Sequence, residues 1–276
     1  MDKIFTYNVI DTPIHRLSGL TKLICFLFLT FAVMFAYDIR IILGVMAFSI
    51  FILYLSKIKF SQIKLMVIYV ALFLITNTII TFLFEPEYGV QLYGTRHEIM
   101  HFFGRYSLTE EQVFYQVTKF FKYSSVVPLG IIFLLTTNPS EFASSLNRVG
   151  VNYKAAFAVA LTLRYFPDIQ RDYRDISLSQ QARGLELSSK AKLKDRFKNS
   201  LAIIVPLIFS TLDRIESISN AMDLRGFSKH KTRTWYNIKT LDKEDYLALT
   251  ISIIIFTGTI LVSVFINKGR FYNPFI

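Results

Sequence analysis

Cysteine is almost absent from this sequence. A single residue, Cys25, occurs among 276, and it lies inside an apolar run. One cysteine cannot form an intrachain disulfide framework or supply a cysteine-built metal cluster. Neither can therefore hold this fold together.

Nucleotide-binding and ion-pathway motifs are missing as well. The sequence contains no G-x-x-x-x-G-K-[ST] phosphate-binding loop and no glycine-rich dinucleotide fingerprint. Its two longest apolar runs, residues 65–84 and 246–266, carry no acidic or basic side chain, whereas proton relays and charged ion pathways leave such side chains inside the membrane. The chain therefore resembles neither a self-contained pump nor a secondary transporter.

Apolar residues dominate what is present. The chain is 53% hydrophobic and 16% aromatic, with a mean hydropathy of +0.41, which a soluble domain of this length rarely reaches. Five apolar runs predict membrane helices, at residues 23–37, 41–56, 65–84, 123–137 and 246–266. The first two fall short of the roughly 20 residues that a span needs, so one re-entrant hairpin is an alternative to two spans. The predicted fold class is all-α and polytopic, with about five transmembrane helices.

The formal net charge is +11, and the basic residues are unevenly distributed. More than half of the 31 lysines and arginines lie in residues 138–245, and three more lie in 57–64, whereas residues 85–111 are net acidic. Cytoplasmic loops of membrane proteins are enriched in these residues, so the charge indicates orientation rather than nucleic-acid binding. The N-terminus and 138–245 are predicted to be cytoplasmic. The domains are then 1–137 with four spans, a cytoplasmic domain at 138–245, and 246–276 with the last span and tail.

A short motif occurs twice in the basic block, forty-two positions apart, and each copy follows apolar residues at helical spacing. Glycine just after the last periodic residue, with arginine in the last turn, is typical of a helix C-terminus. Either copy alone is explained by an ordinary helix stop. Because there are two, and because arginine suits a carboxylate-lined groove, the pair also indicates docking to another protein. The six residues are Ala182, Arg183, Gly184, Leu224, Arg225 and Gly226.

One catalytic motif requires weighing. The run His97-Glu98-Ile99-Met100-His101 matches H-E-x-x-H, in which two histidines one helical turn apart bind zinc and the glutamate acts as a base. Gly104 and the non-periodic flanking sequence favour a loop, and this zinc chemistry needs a helix. A membrane zinc metalloprotease is nevertheless the alternative function, against a solvated outer loop.

The two motifs are called here the first tip (Ala182-Arg183-Gly184) and the second tip (Leu224-Arg225-Gly226). Together with other stretches in register, they resemble a known family: the transmembrane T component of energy-coupling factor transporters, the EcfT/CbiQ family. The other stretches are His15-Arg16-Leu17, Thr21-Lys22-Leu23, Leu135 through Gly150, and Leu161 through Pro167. Each is weak alone, but their order covers nearly the whole chain. Leu224 departs from the pattern, because family members more often have alanine there.

The resemblance implies a cytoplasmic domain of long crossed coupling helices, whose tips dock on two cytoplasmic ABC ATPase subunits. Arg183 and Arg225 would pair with acids in the ATPase grooves, and Gly184 and Gly226 would let the backbone turn away. The partners would be the two ATPases, one small integral-membrane S component that binds the substrate, and the lipid bilayer of a prokaryotic cell. The chain itself would be no enzyme and bind no cofactor or metal, with ATP and magnesium on the ATPases. The transported micronutrient, a vitamin, a precursor or a metal ion, is left open.

Overall fold

The computed structural model describes residues 12–103, 106–185, 193–227, 229, 234–235 and 239–275, and for 102–103 and 193–198 it describes the backbone alone. The chain divides into two compact units. The membrane unit comprises Met1–Asn138 with Lys239–Ile276, and the helix-pair unit comprises Pro139–Ile238. The elements in chain order are α1 Pro13–Arg16, α2 Gly19–Phe35, α3 Ile39–Leu55, α4 Phe60–Phe84, α5 Tyr88–Tyr93, β1 Glu98–Phe103, β2 Tyr106–Thr109, α6 Glu110–Thr136, α7 Pro139–Arg148, α8 Tyr153–Ala182, α9 Leu193–Leu224 and α10 Lys243–Leu261, which ends in a π-helical turn, Val262–Ile266.

Each of the five predicted apolar runs coincides with a helix. Among the described residues, three helices are long and apolar enough to cross a membrane: α4, α6 and Lys243–Ile266. The other two, α2 and α3, are apolar helices of 17 residues each. They are separate helices because Asp38 starts the second one, its carboxylate accepting a hydrogen bond from the Arg40 N–H at 2.9 Å. The all-α, multi-pass membrane fold is confirmed.

The membrane unit is organised around α6, which packs against α2, α3, α4 and α5, while α10 packs against α2. Helix α4 is the most peripheral, since only Ile63 and Leu74 are buried along its 25 residues. Most of its remaining apolar side chains are exposed, as expected for a surface in contact with lipid tails. Polar contacts tie the other helices together, for example Ser263 Oγ, which donates to the Phe35 carbonyl at 2.8 Å.

Lys22 is the most informative buried group of this unit. Only 6% of the residue is exposed, and its Nζ donates to the carbonyl of Thr136 at 2.7 Å and to that of His15 at 3.1 Å. Thr136 ends α6, so the lysine supplies the donor that a helix C-terminus lacks. The Lys22 side chain thus satisfies both carbonyls, and the two carbonyl oxygens in turn stabilise its buried ammonium group.

We expect Lys22→Met to destabilise the protein, because methionine keeps the chain length but leaves both carbonyls without this donor. Each unsatisfied buried acceptor costs about 1–3 kcal/mol, which corresponds to a fall of about 5 °C or more in the unfolding midpoint. Thermal unfolding in detergent measures this. Lys64→Met, at an exposed position of α4, is the matched control and should leave the midpoint unchanged. An equal midpoint in both variants would contradict the role of Lys22.

The acidic segment between α4 and α6 is more ordered than the polar loop predicted from sequence. It contains α5 and an antiparallel hairpin in which Glu98 pairs with Thr109 and Phe103 with Tyr106. Gly89 explains the close approach of α5 to α6, since a Cβ there would lie 2.6 Å from the backbone of Gln112. The Gln112 side chain fixes this contact by accepting from the Gly89 N–H at 2.7 Å. Long-range pairing of this kind is not encoded in local periodicity.

The helix-pair unit consists of α7, α8 and α9. Helix α8 begins at Tyr153, where the Asn152 side chain accepts from the Lys154 N–H at 2.9 Å. It continues through Pro167 to Ala182 as one helix of 30 residues, longer than the apolar spacing near the first tip indicated. Helix α9 likewise continues through Pro206 over 32 residues. From sequence, the basic run Lys190 to Lys198 is predicted to separate the two helices; residues 193–198 instead belong to α9, and residues 190–192 lie outside the described residues.

Candidate functional site

The first tip is the C-terminal end of α8. Ala182 is the last helical residue, Arg183 is the C-cap, and Gly184 follows with φ +89°. The Gly184 N–H donates to the Gln181 carbonyl at 2.9 Å, and the Leu185 N–H donates to the Gln180 carbonyl at 3.1 Å. These two bonds define a Schellman motif, in which glycine adopts the left-handed conformation at little cost.

The second tip, at the end of α9, repeats this geometry. Leu224 is the last helical residue, and Gly226 has φ +63°. The Gly226 N–H donates to the Asp223 carbonyl at 2.9 Å, and the Phe227 N–H donates to the Met222 carbonyl at 3.0 Å. The two arginines therefore occupy equivalent positions on equivalent helix ends. Both are exposed, so the chain presents the same guanidinium-bearing turn twice.

Among the side chains that the structure describes, an ion pair joins the two helices between the tips. Arg214 Nη2 on α9 lies 2.6 Å from Asp172 Oδ2 on α8, and the two side chains are 31% and 24% exposed. Asp172 precedes Arg183 by eleven residues, and Arg214 precedes Arg225 by the same number. At 1.5 Å per residue, each tip therefore lies about 16 Å along its helix from this contact.

Phe227 shows that the two helices run antiparallel. Just beyond the second tip, its ring lies 4.5 Å, centroid to centroid, from Phe157 in the second turn of α8, and it also contacts Tyr153. The end of α9 is thus beside the start of α8, whereas the two ion-paired residues meet further along. The tips consequently lie at opposite ends of the pair, with the ion pair between them.

The second tip rests on an aromatic cluster formed by Tyr153, Phe157, Phe227 and Trp235. The Trp235 ring lies 5.4 Å from Tyr153, and its Nε1 donates to Asn147 Oδ1 of α7 at 3.1 Å. Trp235 therefore packs against α7 and α8 within the helix-pair unit. From sequence alone, Lys229 to Arg233 with Trp235 and Tyr236 predict a membrane-interface anchor. This cluster fixes the backbone that follows Arg225.

A comparison with protein families agrees with this arrangement. A family model described as CbiQ, cobalt transport protein, matches residues 11–236, which is most of the chain and includes both tips. The chain belongs to the CbiQ family.

Relatives of this CbiQ-family chain extend the match over nearly its whole length. It is 24% identical over 273 residues to the energy-coupling factor transporter transmembrane protein EcfT of Streptococcus equi, covering 92% of this chain and 95% of the relative. It is 28% identical to the protein of the same name in Exiguobacterium sibiricum, with 80% and 83% covered. A Bifidobacterium longum protein named as an ABC transporter ATP-binding protein is 31% identical over 166 residues, which is 57% of this chain and 21% of that protein. The resemblance to the EcfT/CbiQ family is confirmed.

The alternative zinc site finds no support in this CbiQ-family chain. Glu98–Phe103 is a strand, so His97 and His101 are about 13 Å apart along the backbone at 3.3 Å per residue, rather than one helical turn apart. They also engage different carboxylates, His97 with Glu111 at 2.7 Å and His101 with Glu98 at 3.1 Å. Among the residues that the structure describes, no group of three or more histidine, cysteine, aspartate or glutamate side chains is placed to hold a metal ion.

Sequence reasoning found the two tips but missed the ion pair that lies between them. Asp172 and Arg214 were not singled out, although their separation in sequence equals that of Arg183 and Arg225. That equality of spacing was available in the sequence. Asp172 and Arg214 carry opposite charges, and each precedes the tip arginine of its own helix by eleven residues.

Proposed function

We propose that this chain is the transmembrane coupling subunit of an energy-coupling factor importer and that it carries out no catalysis itself. Two ATPase subunits bind and hydrolyse ATP, and a small S component in the membrane binds the substrate. The chain passes the motion of the ATPases to the S component, which takes up a micronutrient such as a vitamin, a vitamin precursor or a metal ion. The observation that carries this proposal is the pair of equivalent, exposed arginine tips at opposite ends of one helix pair.

The tips suit the ATPase partners in shape and charge. Arginine presents a planar guanidinium that forms two parallel hydrogen bonds with a carboxylate, and each Schellman turn ends its helix abruptly beside that guanidinium. Two tips match two ATPase subunits. The Bifidobacterium longum relative, whose name describes it as ATP-binding, supports an association between chains of this kind and ATP-binding domains.

An apolar stripe on α9 suits the S component. Its members recur at intervals of three and four residues, so they share one helix face, and each is at least 40% exposed: Leu201, Ile204, Val205, Ile208, Leu212 and Ile215. Pro206 lies in the same part of α9 but on a different side of the helix. An exposed apolar face of this extent calls for a partner, and an integral-membrane protein supplies a matching surface.

Cofactors and orientation follow from the same proposal. ATP and magnesium belong to the ATPase subunits, and this chain binds neither. The helix-pair unit and the N-terminus face the cytoplasm, where the ATPases are, in agreement with its excess of basic residues. The α5 and hairpin segment then faces outward.

Purification of the tagged chain from its own host membranes tests the proposal. We expect mass spectrometry of the detergent eluate to identify ATPase subunits and one small apolar protein. After reconstitution into liposomes, this complex should hydrolyse ATP and take up the substrate of that S component only when ATP is present. A chain that elutes without any ATPase, or liposomes whose uptake is independent of ATP, would refute the proposal.

Gly184→Ala and Gly226→Ala should each weaken ATPase retention several-fold. Both positions have positive φ, where alanine costs about 1 kcal/mol or more, so the turn that presents each arginine is distorted. A Cβ at residue 226 also lies 3.2 Å from the flexible Lys229 side chain, whereas residue 184 has open space around it. Retention is measured as the ATPase-to-chain ratio in the eluate. Gly258→Ala, in the interior of α10 with nothing within 4 Å, is the control; equal retention in all three variants would show that the turns are unimportant.

A further inference from the structure

The two tips share one backbone but not one side chain. We propose that Leu224 inserts into an apolar hollow in the docking groove of one ATPase subunit, and that this side chain assigns the second tip to that subunit. The two ATPases are then different proteins, one with a hollow beside its acidic wall and one without. This inference rests on the proposed function, since it concerns the same docking surfaces.

The exposure of Leu224 is the first reason. The residue is 91% exposed, more than any other large apolar residue in the described part of the chain. Isolated exposed leucines are common on protein surfaces, but this one is adjacent to the arginine that the proposed function places in the ATPase groove. A partner that binds Arg225 must therefore also cover or repel the Leu224 side chain.

The fixed backbone is the second reason. Exposure at a helix end often reflects fraying, but here the turn is closed by the Gly226 and Phe227 hydrogen bonds. The Phe227 ring is held against Phe157 and Tyr153. Leu224 thus projects from an anchored turn, and its side chain is presented in a defined place relative to Arg225. Such pre-ordering favours insertion into a matching pocket.

The comparison with the first tip is the third reason. Ala182 stands in the position equivalent to Leu224, directly before the C-cap arginine, and both are exposed. A groove that closes tightly around alanine has no room for three further carbon atoms, whereas a groove shaped for leucine leaves a void around alanine. Two identical grooves cannot fit both tips equally well. The difference between Ala182 and Leu224 therefore favours two unlike ATPase subunits.

Photo-crosslinking in the host tests this assignment. A photoreactive amino acid is placed at residue 182 or at residue 224 of the tagged full-length chain, and the captured protein is identified by mass spectrometry. We expect residue 182 to capture one ATPase and residue 224 to capture a different one. Capture of the same ATPase protein from both positions would overturn the inference while leaving the proposed function intact. If no ATPase is captured or retained, both the inference and the proposed function are overturned.

Leu224→Ala supplies the second measurement. Loss of leucine burial should weaken binding of the ATPase captured from residue 224 about 20-fold, while the ATPase captured from residue 182 is retained as in the unmodified chain. Leu72→Ala removes the same atoms from a 60% exposed position of α4 in the membrane unit, and should leave both ATPases bound. Unchanged retention in Leu224→Ala, or an equal loss of both ATPases, would show that Leu224 does not distinguish between them.

Discussion

Replacing Arg183 and Arg225 together with alanine should abolish ATP-dependent uptake and release both ATPase subunits from the membrane. Both side chains are exposed in the isolated chain, and neither participates in the hydrogen bonds that close its turn, which are made by the backbone. Their removal should therefore leave both turns closed and act chiefly on docking.

The expected size of the effect follows from what each arginine leaves behind. In a docked groove the guanidinium and the partner carboxylate are withdrawn from water, and removal of one member of such a pair costs roughly 3–5 kcal/mol. Each loss corresponds to a factor of about one hundred or more in binding. Each single variant should weaken binding of one ATPase subunit, whereas the double variant should retain neither subunit.

Uptake by liposomes and ATPase retention in the eluate are the two measurements. Arg171→Ala is a suitable control, because Arg171 is an exposed arginine of α8 with only a long 3.8 Å contact to Asp168, and such surface pairs contribute little. Lysine at both tips should restore docking only partly, since an ammonium cannot form the bidentate pair. Uptake at the unmodified rate by the double alanine variant would remove these arginines from the coupling mechanism.

The membrane helices and the tips were predictable from sequence for a common reason: each is encoded locally. A span is set by uncharged length, as in residues 65–84, which lie entirely within α4. A tip is set by glycine after a periodic run, because few other residues adopt positive φ at Gly184 and Gly226. The described residues contain all six predicted tip residues, and both turns have the predicted form. Their role in docking ATPases stays a prediction.

The features that sequence missed depend on contacts between distant residues. The hairpin at 98–109 is stabilised by cross-strand pairing and by Glu111, whose carboxylate accepts from the His97 N–H at 3.0 Å, and no short period announces it. The early start of α8 at Tyr153 was obscured because residues 155–163 are only weakly apolar and Pro167 suggests an interruption. Packing against α7 and α9 stabilises the helix across both features, as tertiary contacts often override local propensity.

The ion pair between Asp172 and Arg214 carries the second large expected effect. It joins α8 to α9 at a point equidistant in sequence from the two tips, so we expect a movement of either tip to be transmitted in part through this contact. Asp172→Arg places two cations against each other. We expect it to reduce uptake by about tenfold or more, because breaking a partly buried pair costs roughly 1–3 kcal/mol and misaligns α8 and α9. ATPase subunits should still be retained, because neither tip is altered.

The charge exchange distinguishes coupling from folding. Combining Asp172→Arg with Arg214→Asp restores an opposite-charge pair at the same place, and uptake should recover to at least half of its original rate. Arg171→Asp is the matched control, because it reverses the charge of the neighbouring residue. The Arg171 side chain is exposed, and its 3.8 Å contact is with Asp168 on the same helix, so uptake should be unaffected.

The decisive quantity is the number of substrate molecules taken up per ATP hydrolysed. If the ion pair holds α8 and α9 in register, Asp172→Arg lowers this ratio while ATP hydrolysis by the bound subunits continues. Combining it with Arg214→Asp should then raise the ratio again. If the pair serves stability alone, hydrolysis, retention and uptake fall together in proportion to the amount of folded protein. An unchanged ratio in Asp172→Arg would therefore rule out the ion pair as the link between the two coupling helices, whatever happens to the total rate.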